Sequence, residues 1–245
     1  MAKSKQDTTT HVKTGSNRVK TGIFGLDEMM EGGIPRGNII LLSGTCGTGK
    51  STFGMQYIYK GVTEYNEPGV YVSFEEDQTR LTSAMSLYGW NIEEQIKKRK
   101  ISIISPEISK VDEIRRSISD EVDRIGAKRL VIDSFTLLSM YLKSDFETRR
   151  ALTKLDRDLK RLDCTTLLIS DSKEGSDSFS ITGYEEFIVD GVIVLRLTSS
   201  SQDKLDSYVR SVFVRKMRGT THSLTAVPIK FESDGIHTYA SAKVF

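Results

Sequence analysis

Residues Gly44-Thr45-Cys46-Gly47-Thr48-Gly49-Lys50-Ser51 read G-x-x-x-x-G-K-[ST], and no other stretch constrains the fold as strongly. A triphosphate concentrates negative charge, and burying it takes many donors close together. A glycine-rich turn lets successive backbone N–H groups converge on phosphate oxygens with no side chain in the way. In that geometry Lys50 reaches the β- and γ-phosphates and the Ser51 hydroxyl takes one position on Mg²⁺. Thr52 follows in the first turn of a helix, whose free N–H groups and positive dipole end complete the cradle. The flanks agree: 38–43 is a short apolar strand leading in. Lys50 to Val62 reads as a helix with Phe53, Tyr57, Ile58 and Val62 on one face. The motif therefore predicts nucleoside triphosphate binding between a strand and a helix.

The rest of the chain reads as α/β around that unit. Short Val/Ile/Leu-rich strands are predicted at 69–74, 101–105, 129–133 and 165–170. Helical periodicity lies between them, in Val111, Ile114, Ile118, Val122 and Ile125, and again in Leu152, Leu155, Leu159 and Leu162. Alternation of this kind predicts a parallel sheet with right-handed crossovers. From about Gly191 strand follows strand (191–197, 208–217, 224–231 and 236–240), with a hairpin tip over 199–204 and an antiparallel extension of the sheet. Residues 1–18 are polar, basic and aperiodic, which predicts a disordered tail before one domain over 19–245.

Composition excludes more than it selects. At 245 residues the chain can bury one substantial core, and 35 Lys+Arg against 33 Asp+Glu leave no strong field for nucleic acid or membrane. Its two cysteines, Cys46 and Cys164, form no disulfide framework or zinc spacing and read as reduced thiols of a cytoplasmic protein. His11, His222 and His237 are scattered, no apolar run approaches membrane-spanning length, and no signal-peptide core opens the chain.

Three further segments carry chemistry. Arg129-Leu130-Val131-Ile132-Asp133 is an apolar strand ending in an acid. Beside a phosphate cradle, such an aspartate holds Mg²⁺, usually through water. Glu75-Glu76 follows the strand 70–74, at the edge where open α/β sheets bind ligands. Either carboxylate suits orienting or deprotonating an attacking water; the plainer reading is a solvated acidic turn, with Asp77 capping the next helix. Lys216 and Arg218 lie two apart on a strand and so share a side. They suit charge stabilisation on a transferring phosphoryl group, as an arginine finger does, or simply a basic edge strand.

Taken in order, the segments 21–27, 32–37, 44–51, 73–76, 131–134, 185–187, 190–195 and 216–219 resemble the KaiC-like branch of the RecA superfamily of ATPases. The likeness runs from about residue 18 to 240. It implies a RecA-type core that assembles into rings, commonly hexamers, with ATP between neighbours. Glu75 and Glu76 become the catalytic acid pair. Lys216 and Arg218 act in trans on the neighbour's ATP, with His222 at the same nucleotide edge. Phe24 and Cys46 stand where the family often has proline, and Asp171 stands where relatives tend to have glutamate. The segment 180–190 is similar to the family's non-phosphorylated domain, so no autophosphorylation is expected.

The leading expectation is an Mg²⁺-dependent ATPase working as a homo-oligomer. A nucleotide-dependent scaffold or signalling switch, with protein clients and little hydrolysis, is the second. The third is a recombinase paralog binding single-stranded DNA through the polar loop 172–182, although that loop offers only Lys173 and Phe179 against Glu174 and Asp177.

Overall fold

The computed structural model describes residues 17–108, 111–142, 144–175, 178–200 and 207–239. In chain order the elements are β1 (Arg18–Val19), β2 (Ile34–Pro35), β3 (Ile39–Gly44), α1 (Lys50–Tyr65), β4 (Gly69–Ser73), α2 (Gln78–Met85), α3 (Ile92–Lys97) and β5 (Ile101–Ile104). There follow α4 (Val111–Ile125), β6 (Arg129–Asp133), α5 (Phe135–Met140), α6 (Asp145–Arg161), β7 (Thr165–Asp171), α7 (Glu185–Ile188), β8 (Gly191–Ser200), β9 (Ser207–Met217), β10 (Val227–Glu232) and β11 (Gly235–Thr238). A nine-stranded sheet in the order β11-β10-β9-β8-β3-β7-β6-β4-β5 forms the frame. It is parallel from β8 through β5 and antiparallel from β8 outward through β11. The predicted antiparallel extension therefore starts with β9, while β8 itself joins β3 in parallel.

Both faces of the parallel part are covered, as the near-continuous apolar runs require. Side chains alternate with period two. Ile40, Leu42, Tyr71, Val131, Leu167 and Ile169 pack on one face with Phe53, Tyr57, Ile58 and Val62 of α1. Ile39, Leu41, Val70, Val72, Leu130 and Leu168 pack on the other with Ile114, Ile118 and Val122 of α4 and Leu152, Leu155 and Leu159 of α6. Helix α1 lies close to the sheet because Gly54 presents no side chain; a Cβ there would stand 3.0 Å from Val131 and 3.2 Å from Ile169.

Several boundaries differ from the sequence reading for local reasons. Arg18 belongs to the ordered core: it pairs with Pro35, donates to the carbonyls of Met30 and Gly33, and bridges Glu31 at 2.7 Å. Residues 1–16 of the proposed disordered tail lie outside the described residues, as do 201–204 of the hairpin tip. The strand expected from 224 begins at Val227, since 220–225 find no ladder partner. Helices α2, α3 and α5 are short and rest on caps rather than periodicity, while the four-residue α7 has no side-chain cap. Asp77 accepts from Arg80 N at 2.8 Å, Asn91 from Glu94 N at 3.1 Å, and Ser134 from Leu137 N at 3.4 Å.

Candidate nucleotide site

Parallel register brings the P-loop and both acidic segments to one edge. Gly44 pairs with Asp171, and Ser73 with Asp133, so the strand ends β3, β7, β4 and β6 open side by side. This is the carboxyl edge, where ligands of open α/β sheets bind. The loop after β3 needs its glycines for distinct reasons. Gly47 (φ 75°) and Gly49 (φ 97°) occupy the left-handed region. A Cβ on Gly44 would lie 2.6 Å from Thr48 Oγ1 and 2.8 Å from the Leu195 carbonyl.

The loop is braced from inside and outside. Thr48 Oγ1 donates to Thr45 O at 2.8 Å, and Lys50 Nζ donates to the same carbonyl at 2.9 Å. Lys50 also pairs with Asp171 Oδ1 at 3.0 Å. From the antiparallel side, Arg210 Nε donates to Gly47 O at 3.0 Å and its guanidinium sits 5.0 Å from the centre of the Phe231 ring. Phe231 in turn packs against Gly49, where a Cβ would approach its Cζ to 2.3 Å. Sequence reasoning did not find Arg210 or Phe231. Neither lies in a motif, and both reach the loop from strands far downstream in the chain.

Asp133 is the deepest carboxylate of the edge. Tyr71 Oη donates to its Oδ2 at 2.5 Å, and the nearby Ser51 hydroxyl favours its charged form. Burial pushes Asp133 above the ordinary carboxylate range, while the Tyr71 and Ser51 hydrogen bonds pull it back. Burial next to that acid also drives the Tyr71 phenol far up. Ser51 and Asp133 thus place two hard oxygen donors near one another at the mouth of the loop, and this donor set fits Mg²⁺. Glu75 is exposed and accepts from Ser134 Oγ at 3.0 Å, which ties it to the strand end that carries Asp133. Half-buried Glu76 is fixed through its backbone: its N–H meets Ser73 Oγ at 3.0 Å and its carbonyl accepts from Ser105 at 3.2 Å. The acidic pair and the Asp77 cap therefore coexist.

Lys216, Arg218 and His222 are not brought to that edge. Lys216 stands opposite Val192, level with Leu41, and Arg218 N bonds to Asp190 O, level with Ile39. Along the strand that puts them roughly 10 Å and roughly 17 Å from Gly44, toward the amino edge. Their heads turn onto α7. Lys216 Nζ donates to Glu186 O at 2.9 Å and Val189 O at 2.7 Å. Arg218 pairs with Asp190 at 3.1 Å and reaches the carbonyls of Phe187 and Ile188. Burial, then the Arg218 charge, hold Lys216 below the usual lysine range. Together with His222, Phe179 and the exposed Phe187, they line a cleft of about 620 Å³.

The loop proposed for DNA is partly outside the described residues, at 176–177. Its Phe179 packs edge-on against Phe213 at 6.5 Å, and its Ser180 is buried. No helix among the described residues is long and apolar enough to cross a membrane.

The two cysteines diverge. Cys46 is exposed in the loop, whereas Cys164 is buried and its thiol is pushed up to about 12. A maleimide near neutral pH is expected to label one thiol per chain, Cys46, and saturating nucleotide should slow that labelling. Labelling at an unchanged rate would place the nucleotide elsewhere.

A glycine loop between a central parallel strand and its helix, with an acid on the strand two positions across the sheet, defines a P-loop protein with a RecA-like core. A family model described as "ATPase: KaiC" matches residues 19–243. A UPF0273 protein of Methanocaldococcus jannaschii is 38% identical over 244 residues, covering 91% of this chain and 96% of that one. The circadian clock oscillator protein KaiC of Prochlorococcus marinus is 32% identical over 233 residues, covering 91% of this chain but 46% of its own length. The crystal structure of a KaiC-like protein from Pyrococcus horikoshii superposes with a TM-score of 0.83 at 43% identity, covering 91% of this chain and 98% of the other. The chain belongs to the KaiC ATPase family, as a single KaiC-like domain.

Proposed function

We propose that the protein is an Mg²⁺-dependent ATPase whose sites are completed between neighbouring copies in a ring. The observation that carries this reading is the separation within one chain: the P-loop opens at the carboxyl edge of β3, while Lys216 and Arg218 gather at the amino edge. A pair of cations useful to phosphoryl transfer cannot reach its own nucleotide from there, but a second copy packed edge against edge can supply it.

In this reading the loop from Gly44 through Thr52 wraps the phosphates, and Lys50 leaves Thr45 O and Asp171 for the β- and γ-oxygens. Ser51 and Asp133 would hold Mg²⁺, which would supply neutralisation of phosphate charge. Glu75, oriented by Ser134, and Glu76 align a water and take its proton as its oxygen bonds to the γ-phosphorus and the bridging bond to the β-phosphate breaks, releasing ADP. The neighbour's Lys216 and Arg218 meet the charge on the oxygens of the transferring γ-phosphoryl group, with that neighbour's His222 beside them.

The test is ATP turnover per protomer against protein concentration with Mg²⁺ present. A rise to a plateau is expected, because isolated chains hold incomplete sites. Turnover that stays at background across the range, with ATP bound, would make the chain a nucleotide-dependent switch instead.

A further inference from the structure

One buried carboxylate has no part in the chemistry above. Glu185 opens α7, is 0% exposed, and is held by hydroxyls and one amide rather than by a cation. Thr182 Oγ1 donates to Oε2, Tyr184 N–H donates to the same oxygen at 3.1 Å, and Ser170 Oγ lies 3.5 Å from Oε1. A buried ionisable group costs stability unless each lone pair is met, so its position is worth explaining.

Its polar contacts run in one direction toward the P-loop. Asp171 N–H donates to Thr136 Oγ1 at 2.8 Å, and Thr136 Oγ1 lies 3.3 Å from Ser170 Oγ. Thr136 Oγ1 and Ser170 Oγ can each donate to the other, and the Ser170 hydroxyl has both Glu185 Oε1 and Asp171 O at 3.5 Å as acceptors. The Asp171 side chain holds Lys50, the residue that must move when phosphate arrives. At the far end the same four-residue helix presents the carbonyls that grip Lys216 and Arg218. Ser180 Oγ, donating to Glu186 at 2.5 Å, ties the preceding loop to the helix as well. A contiguous polar path thus joins a chain's own P-loop lysine to the two cations it offers its neighbour.

We propose that Glu185 is a positioning residue that couples nucleotide at one P-loop to the Lys216–Arg218 pair acting on the next, through Asp171, Thr136 and Ser170. This rests on the in-trans reading above. When Lys50 turns to phosphate, Asp171 loses its cation, the Thr136–Ser170–Glu185 contacts rearrange, and α7 shifts its carbonyls under Lys216 and Arg218. Occupancy of one site then sets turnover at the adjacent one, so a ring hydrolyses ATP cooperatively.

Two isosteric variants break the path at separate points: Glu185→Gln, which replaces an acceptor oxygen with a donor, and Thr136→Val, which removes the hydroxyl far from Lys216. Turnover is measured against ATP concentration on the protein-concentration plateau, with ATP affinity measured by equilibrium binding. For the unsubstituted chain a Hill coefficient above 1 is expected. Each variant should bring it to about 1 and lower kcat by about fivefold or more, with ATP affinity within about twofold. A purely structural role would lower active protein without moving the Hill coefficient. The proposal is overturned by a coefficient of 1 in the unsubstituted chain, or by one unchanged in the variants. Should Glu185→Gln not fold, Thr136→Val decides by the same criterion. If turnover per protomer never rises with concentration, the in-trans reading fails first and the coupling with it; if it rises and the variants stay cooperative, the coupling alone fails.

Discussion

Replacing Lys216 or Arg218 with alanine is expected to cut ATP turnover by about 10³-fold or more while leaving ATP binding at the same chain's P-loop intact. Cations that meet charge on a transferring phosphoryl group act in the transition state far more than in the ground state, so their loss appears in kcat. Neither residue contributes to its own loop, because both point to α7 at the other end of the sheet. The decisive form of the experiment mixes two inactive chains. Lys50→Ala cannot hold ATP but keeps its cations, and Arg218→Ala holds ATP but lacks one cation. In a random equal mixture about one interface in four joins an intact loop to an intact pair, so up to about a quarter of the unsubstituted turnover should return, and less where the coupling through Glu185 needs nucleotide at the loop of the chain that offers the cations. Recovery of none of it would mean that each chain completes its own site, contrary to the separation along β3, β8 and β9.

How much of this was legible in the sequence follows from the range of each interaction. The strands β3 to β7 announce themselves because a strand buried on both faces must be apolar throughout, and helices α4 and α6 because one stripe must be. The P-loop is legible because its glycines answer to local backbone geometry. Short capped helices carry no period to read; α5 and α7 take shape from a single serine cap or from contacts with Ser170 and Lys216. The bracing of the loop depends on partners distant in sequence: Arg210 to Gly47, Phe231 to Gly49, Tyr71 to Asp133. Spacing gives no access to such pairs. Side-chain alternation did place Lys216 and Arg218 on a common side, and both indeed reach the same turn of backbone. Their distance from the P-loop became visible only once the register of β8 and β9 was in view.

The acid pair is the second place where a small change should have a large effect. Glu75→Gln with Glu76→Gln is expected to lower turnover by about 10²–10⁴-fold, the range associated with loss of a positioned general base. The electrostatics make this loss separable from damage to the site. Two carboxylates beside a triphosphate repel it, so neutralising them cannot weaken ATP binding through charge, and affinity should hold or rise. The amides keep the size of the side chains, and the amide oxygen introduced by Glu75→Gln can still accept from Ser134 Oγ, as the Glu75 carboxylate does at 3.0 Å. The backbone contacts of residue 76 with Ser73 and Ser105, and the Asp77 cap on α2, do not involve the altered atoms. Folding and nucleotide binding are therefore expected to survive while chemistry stops. The single variants apportion the role: if one carboxylate can replace the other, each alone costs less than the square root of the double loss. Turnover that persists in the double variant, at unchanged ATP affinity, would reduce the pair to the solvated turn that leads into α2.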